Sequence, residues 1–214
     1  DVYKRQVDDK SIYEVIMGRM KLTDVMEETE FKNLSIAGSD VRLANAELEL
    51  VEVEKREYRL KTAVQSVQQD FDFIFIDCPP SLGLLTINAL GAADSVLIPI
   101  QCEYYALEGV ASLMNTISRV KKTINPHLEI EGVLLTMLDG RTNLGLQVVD
   151  EVKKHFKKQV YATVIPRSVR LGEAPSHGEP IHVYDKRSAG CVAYVNLAKE
   201  VLKRNNIKVK EFKL

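Results

Sequence analysis

Cysteine is scarce in this chain of 214 residues: Cys78, Cys102 and Cys191 show no paired spacing, and the four histidines are scattered through its later part. Neither a disulfide framework nor a structural zinc site is therefore expected, and each cysteine reads as a small buried hydrophobe. Long apolar runs are missing too. The hydrophobic stretches around Ile74, Val96, Val133 and Val164 are each too short to span a bilayer, and no amino-terminal signal is visible, so a soluble, cytoplasmic protein is expected. Glycine amounts to 11 residues, and Gly38, Gly83 and Gly91 stand without a lysine partner. No Gly-x-x-x-x-Gly-Lys-[Ser/Thr] loop occurs anywhere, which removes the usual backbone cradle for phosphates. The chain also shows no internal repeat, low-complexity segment, Ser-His-Asp arrangement or carboxylate dyad.

What is present is an alternation of short apolar runs and helical patterns. At 45% hydrophobic composition the chain can bury a core as one domain. Ser11 and Thr23 suit helix N-caps, residues 33–37 read as a brief strand, and 41–53 and 56–69 as helices. In the second of these, Leu60, Val64 and Val67 share a face. Further helices are expected at 82–90, 106–124, 143–156 and 188–205, and strands at 71–77, 95–100, 129–138 and 159–165. Pro99 and Pro166 close two of these strands. Leu107, Val110, Leu113, Met114, Ile117 and Val120 make a core stripe on one helix, and Leu146, Val149, Val152 and Phe156 on the next. Near-continuous apolar strands separated by helices imply a doubly wound α/β fold, its mostly parallel sheet covered by helices on both faces.

Residues 71–80, Phe-Asp-Phe-Ile-Phe-Ile-Asp-Cys-Pro-Pro, form an aromatic and β-branched run that ends in an acid before two prolines. Asp77 is thereby set at a strand's C-terminal end, the edge where open α/β sheets bind ligands and where a carboxylate can hold Mg²⁺ through water. A capping role in the following loop is the plainer alternative. Charge is lopsided: residues 1–107 hold 11 Lys and Arg against 19 Asp and Glu, a balance of −8, while 108–214 hold 18 against 11, a balance of +7. The basic half hints at an anionic partner.

Four blocks of this sequence resemble the ParA/Soj family of P-loop partition ATPases. They are Ile76-Asp-Cys-Pro-Pro-Ser-Leu-Gly-Leu-Leu-Thr86, Ser95-Val-Leu-Ile-Pro-Ile-Gln-Cys-Glu-Tyr-Tyr-Ala-Leu-Glu-Gly109, Glu131-Gly-Val-Leu-Leu-Thr-Met-Leu-Asp-Gly-Arg-Thr-Asn-Leu144 and Ile165-Pro-Arg-Ser-Val-Arg-Leu-Gly-Glu-Ala-Pro-Ser-His-Gly178. The resemblance covers nearly all of the chain beyond Ser11. The family opens with a strand and a Lys-Gly-Gly-x-Gly-Lys-[Ser/Thr] loop, followed by an Asp-rich motif, and neither occurs here. An amino-terminally truncated family member is the expectation. In this reading residues 1–10 are a non-native or disordered start, 11–205 a single partial domain and 206–214 a basic tail.

The resemblance implies roles for particular residues. Asp77 matches the carboxylate that holds Mg²⁺. Gln101, Glu103 and Tyr104 border the nucleotide and its dimer contact, and Pro166 and Arg167 lie beside the adenine. Arg141 and Arg170 match arginines that bind double-stranded DNA without sequence preference, as suits the planar guanidinium fork, and Lys153, Lys154, Lys157 and Lys158 extend that patch. Thr136 and Asp139 lie at another strand end, although Asp139-Gly140 is also an ordinary turn signal. The implied function is ATP-dependent segregation of chromosome or plasmid DNA, with ATP and Mg²⁺ as cofactors. A homodimer formed on ATP binding, a ParB/Spo0J-type partner and a nucleoid-associated location complete that picture. Alternatives are a septum-positioning ATPase of the MinD-like group, which binds membrane, and a non-enzymatic DNA-binding or dimerisation module. The short tail at 206–214 offers little apolar surface for a membrane.

Overall fold

The computed structural model describes residues 10–103 and 106–207, with the side chains of 106–108 left out. In chain order its elements are α1 (Ile12–Ile16), α2 (Leu22–Val25), β1 (Met26–Glu28), β2 (Ser35–Ala37), α3 (Leu43–Glu49), α4 (Arg59–Gln65) and α5 (Leu84–Ala92). These are followed by β3 (Ser95–Gln101), α6 (Ala106–Thr123), β4 (Glu129–Leu138), α7 (Asn143–Phe156), β5 (Val160–Pro166), α8 (Val169–Glu173), α9 (Ile181–Tyr184) and α10 (Ala189–Arg204). Of the described residues, 10–95 and 113–129 form one compact unit and the remainder forms a second.

In the first unit, Ser11 caps α1 from extended backbone, its Oγ accepting the Tyr13 N–H. Thr23, expected as a cap, lies inside α2 instead. That helix starts at Lys21, whose N–H donates to the Asp24 carboxylate at 3.2 Å; a carboxylate three residues on serves the helix start better than the hydroxyl. β1 and β2 pair antiparallel, Met26 opposite Ala37. Val15, Leu22, Val25 and Val67 form the core, with Val64 and Phe71 packed on it.

Helix α5 is closed at both ends by side chains from elsewhere. The Glu47 carboxylate accepts the Leu85 N–H at 3.1 Å, and Asn125 Nδ2 donates to Leu90 O at 3.0 Å and Ala93 O at 2.7 Å. Negative charge at the start and donors at the end both answer the unpaired groups of a helix. Gly83 permits the first contact, since a Cβ there would lie 2.2 Å from Glu47 Oε1. Asn88, fully buried, donates to Arg56 O at 2.9 Å and Leu84 O at 3.0 Å and accepts the Leu60 N–H at 3.2 Å, which fastens α5 to the start of α4.

The expected strand at 71–77 is not formed. This segment carries no regular structure and pairs with no strand among the described residues, leaving Ile74 40% and Phe75 80% exposed. β-propensity is a fit to neighbouring strands and packed faces, and without a ladder on either edge an apolar run stays irregular. Cys78 is consequently exposed rather than buried, whereas Cys102 and Cys191 are buried as expected.

The second unit is built on a sheet in the order β3-β4-β5, with β4 and β5 parallel. α10 packs on β5, and Leu134 of β4 joins Tyr161, Ile165 and Ala193 in a buried core cluster. Two residues of α10 bind the start of β5: Glu200 accepts the Ala162 and Thr163 N–H groups at 2.8 and 2.9 Å, and the Arg204 guanidinium lies 3.7 Å over the Tyr161 ring. Burial and the neighbouring Glu131 carboxylate push the Tyr161 hydroxyl above its usual range. On α7 the buried positions are Gly145, Val148, Val149 and Val152, while Leu146 is 48% exposed, so the apolar face is turned away from the expected stripe. Pro99 does not end its strand; exposed within β3, it needs no ladder donor there and the strand continues to Gln101.

Candidate functional site

β3, β4 and β5 each end in a loop that bears one of the singled-out motifs. An open cleft of about 1010 Å³ lies where these ends come together. Ile100, Pro99, Met137 and Leu144 supply its apolar lining, and Gln101, Glu103, Asp139, Arg141 and Arg167 its polar groups. Gln101, Glu103 and Arg167 all line this cleft, and Asp77, whose edge Gln101 and Glu103 were expected to share, does not. Arg167 reaches Glu103 in an ion pair, and its backbone N–H donates to Leu138 O at 3.0 Å, which locks the Pro166-Arg167 turn onto the end of β4. Pro166 itself is half-buried and ends β5 opposite Leu138. Thr136 donates from Oγ1 to Ile100 O at 3.3 Å, while the Cys102 N–H donates to Thr136 O at 2.9 Å, so its role is to tie β3 to β4. Tyr104 lies outside the described residues.

Met137 was not legible in the sequence. It sits at the cleft with φ of 54°, in the left-handed region that side chains larger than glycine seldom occupy, at a register shift between β4 and β5. Bulges of this kind re-aim side chains beside ligand sites. Methionine carries no signal for such a conformation.

The two DNA-candidate arginines sit in this same unit. Arg141 is 89% exposed, and its Nε and Nη2 donate to the two Asp139 carboxylate oxygens at 2.9 and 2.7 Å. That fork, with the Arg141 backbone N–H, holds the Asp139 carboxyl well below the usual carboxylate range. Arg170, in α8, pairs through Nη1 with Glu173 at 2.9 Å and through Nε with Asp185 at 3.5 Å. The Tyr184 hydroxyl donates to the same Glu173 oxygen at 3.1 Å. An acid at i+3 from Arg170 is readable in sequence; Asp185 is not, because the fold of residues 174–184 returns it. Lys153, Lys154, Lys157 and Lys158 are all exposed at the end of α7, with Lys154 paired to Glu151 at 3.3 Å.

Asp77 belongs to the other unit, exposed at the end of the irregular 71–77 segment. No cluster of three or more His, Cys, Asp or Glu capable of holding a metal occurs among the described residues. Mg²⁺ keeps several waters and takes one or two carboxylates beside nucleotide phosphates, and a single open carboxylate fits that mode and no all-protein cage. The apolar lining and polar rim of the strand-end cleft fit a nucleoside.

A family model described as an AAA domain matches residues 1–130. The sporulation initiation inhibitor protein Soj of Bacillus subtilis is 57% identical over 193 residues, covering 90% of this chain and 76% of that protein. The chromosome partitioning protein ParA of Myxococcus xanthus is 50% identical over 198 residues, covering 92% of this chain and 70% of its own. This chain belongs to the ParA/Soj family of chromosome partitioning ATPases. Among solved structures, cobyrinic acid a,c-diamide synthase from Mycobacterium smegmatis with bound ATP analog and magnesium superposes with a TM-score of 0.79 at 33% identity, covering 100% of this chain and 79% of that one. The Pyrococcus furiosus cell division ATPase MinD shares the fold, with a TM-score of 0.74 at 23% identity over 94% of this chain and 79% of its own. The α/β fold expected from the strand and helix alternation is therefore that of the ParA and MinD-like P-loop ATPases, while the segment 71–77 does not take its strand form here. No described helix is long and apolar enough to cross a membrane.

Proposed function

We propose that this chain supplies the nucleoside, metal and DNA contacts of an ATP-dependent DNA segregation ATPase. The observation that carries this reading is the convergence of Gln101 and Glu103 at the C-terminal end of β3 with Arg167 at that of β5, in blocks that match the family. In this reading Pro166 and Arg167 lie along the adenine, Gln101 and Glu103 border the sugar and the dimer contact, and Asp77 holds a water of Mg²⁺. Bound Mg²⁺ supplies charge stabilisation for phosphoryl transfer to water. Arg141 and Arg170 contact the phosphates of duplex DNA, a homodimer forms with ATP, and a DNA-bound partner of the ParB type stimulates hydrolysis.

The sequence contains no phosphate loop, so the nest of N–H groups and the lysine that secure ATP are not among these residues. The 214-residue chain by itself is accordingly expected to turn over little ATP. The test joins the phosphate-loop segment of a relative ahead of Ser11 and compares that protein with its Asp77→Ala variant. Hydrolysis is expected to be abolished while the thermal transition stays put, because Asp77 is exposed and supports no packing. Turnover near the parental rate would make Asp77 a loop residue only.

A further inference from the structure

Each DNA-candidate arginine of the second unit is already engaged by acids of the same chain. Asp139 takes Nε and Nη2 of Arg141, the edge of the guanidinium that makes two parallel hydrogen bonds to a phosphate. Glu173 and Asp185 take Nη1 and Nε of Arg170 from two directions. Three acids thus occupy the two guanidiniums, and both arginine side chains are exposed, Arg141 by 89% and Arg170 by 55%. Resting on the DNA reading above, we infer that Asp139, Glu173 and Asp185 act as internal stand-ins for phosphate, a latch that duplex DNA must displace from Arg141 and Arg170.

The chemistry sets the size of the effect. Arg141 closed on Asp139 is a neutral pair, and Arg170 between Glu173 and Asp185 carries a net negative charge, so neither attracts the DNA polyanion strongly. Opening either exchanges one charge-assisted pair for another and leaves a bare carboxylate beside the backbone of the duplex. Exposed ion pairs are worth little, so each latch weakens DNA binding by about twofold to fivefold and no more. It also flattens the salt dependence, because part of the counterion release expected from a phosphate contact is cancelled when the freed carboxylate takes up a cation. Neither latch is a folding element. Asn at 139 keeps the Oδ1 that accepts the Arg141 backbone N–H, and Gln at 173 keeps an oxygen for the Tyr184 hydroxyl.

The experiment measures affinity for a labelled mixed-sequence duplex by anisotropy across a salt series. It uses the 214-residue chain, and the same chain carrying a relative's phosphate-loop segment with ATP. Asp139→Asn, and Glu173→Gln with Asp185→Asn, are each expected to tighten binding by about twofold to fivefold and to steepen the log–log salt slope. Glu179→Gln, which removes an exposed charge elsewhere in the same unit, should tighten it less. In an Arg141→Ala background the gain from Asp139→Asn should fall to that of plain charge removal, as in Glu179→Gln, since coupling between two residues appears only while both are present. If Arg141→Ala and Arg170→Ala bind as the parent does, the DNA reading falls and the latch falls with it. If those variants bind more weakly while the acid-to-amide variants bind no better than Glu179→Gln, the DNA face stands and the latch is refuted.

Discussion

Replacing Asn88 by alanine removes a side chain that is fully buried and makes three hydrogen bonds. Its three partners do not suffer alike. Leu84 O lies one turn back in the same helix and keeps its helical donor. The Leu60 N–H belongs to the first turn of α4, where no intrahelical acceptor exists, and Arg56 O sits in the turn before it. Alanine strands those two, at about 1–3 kcal/mol each, so a loss of about 2–6 kcal/mol is expected. Set against a total of about 5–15 kcal/mol for an ordinary domain, this is a large share. With a urea dependence of about 2 kcal/mol per molar, the unfolding midpoint of the first unit should fall by about 1–3 M. Amide exchange at Leu60 should accelerate with it. Thr62→Ala, an exposed change on the same helix, serves as the control and should move the midpoint little. An Asn88→Ala midpoint no lower than that control would refute the assignment of this side chain as the link between α4 and α5.

Two further substitutions probe other parts of the same reasoning. The Asp40 carboxylate, 3% exposed, is held well below its ordinary value by the Arg42 side chain and by Ser11. A depressed carboxylate contributes stability that is complete above about pH 5 and is lost as pH falls through its folded value. Urea midpoints taken from neutral to acid pH should therefore fall less steeply for Asp40→Asn than for the parent, and parallel curves would contradict this. Gly132→Ala should destabilise the second unit by about 1–3 kcal/mol, because a Cβ there would lie 2.5 Å from the buried Tyr161 ring and 2.8 Å from Gln159 O, neither of which has room to yield. A thermal transition unchanged from the parent would show that β4 and β5 can part without cost.

Much of the fold could be read from the sequence because local signals and tertiary context agree there. The apolar runs at β3, β4 and β5 have neighbours in the sheet, and Ser11 has a helix to cap. Reading failed where the outcome depended on partners that no local pattern encodes. Residues 71–77 have strong strand propensity and no strand beside them among the described residues. Thr23 lost its capping role to Asp24, and Leu146 yielded its buried place to Val148 because the helix face is chosen by what it packs on. At the candidate site the strand ends were readable, since β5 closes at Pro166 just before Arg167 and β3 gives way to polar residues at Gln101 and Glu103. The pairings were less so. Arg141 with Asp139 is local, but Asp185 reaches Arg170 only through the intervening turns, and the left-handed Met137 follows from a register shift that sequence does not announce.

The most direct test of the functional account is the salt dependence of duplex binding by the chain joined to a relative's phosphate-loop segment, with ATP, for the parent and for Arg141→Ala with Arg170→Ala. The account predicts weaker binding to every sequence alike and a log–log slope flatter by up to about 0.9 for each lost phosphate contact, the share cancelled by freed carboxylates subtracted, with ATP turnover in the absence of DNA unchanged. Unchanged affinity and slope would contradict it and move the DNA face to the lysines at the end of α7, whereas loss of turnover together with DNA binding would assign Arg170 to the nucleotide beside Arg167.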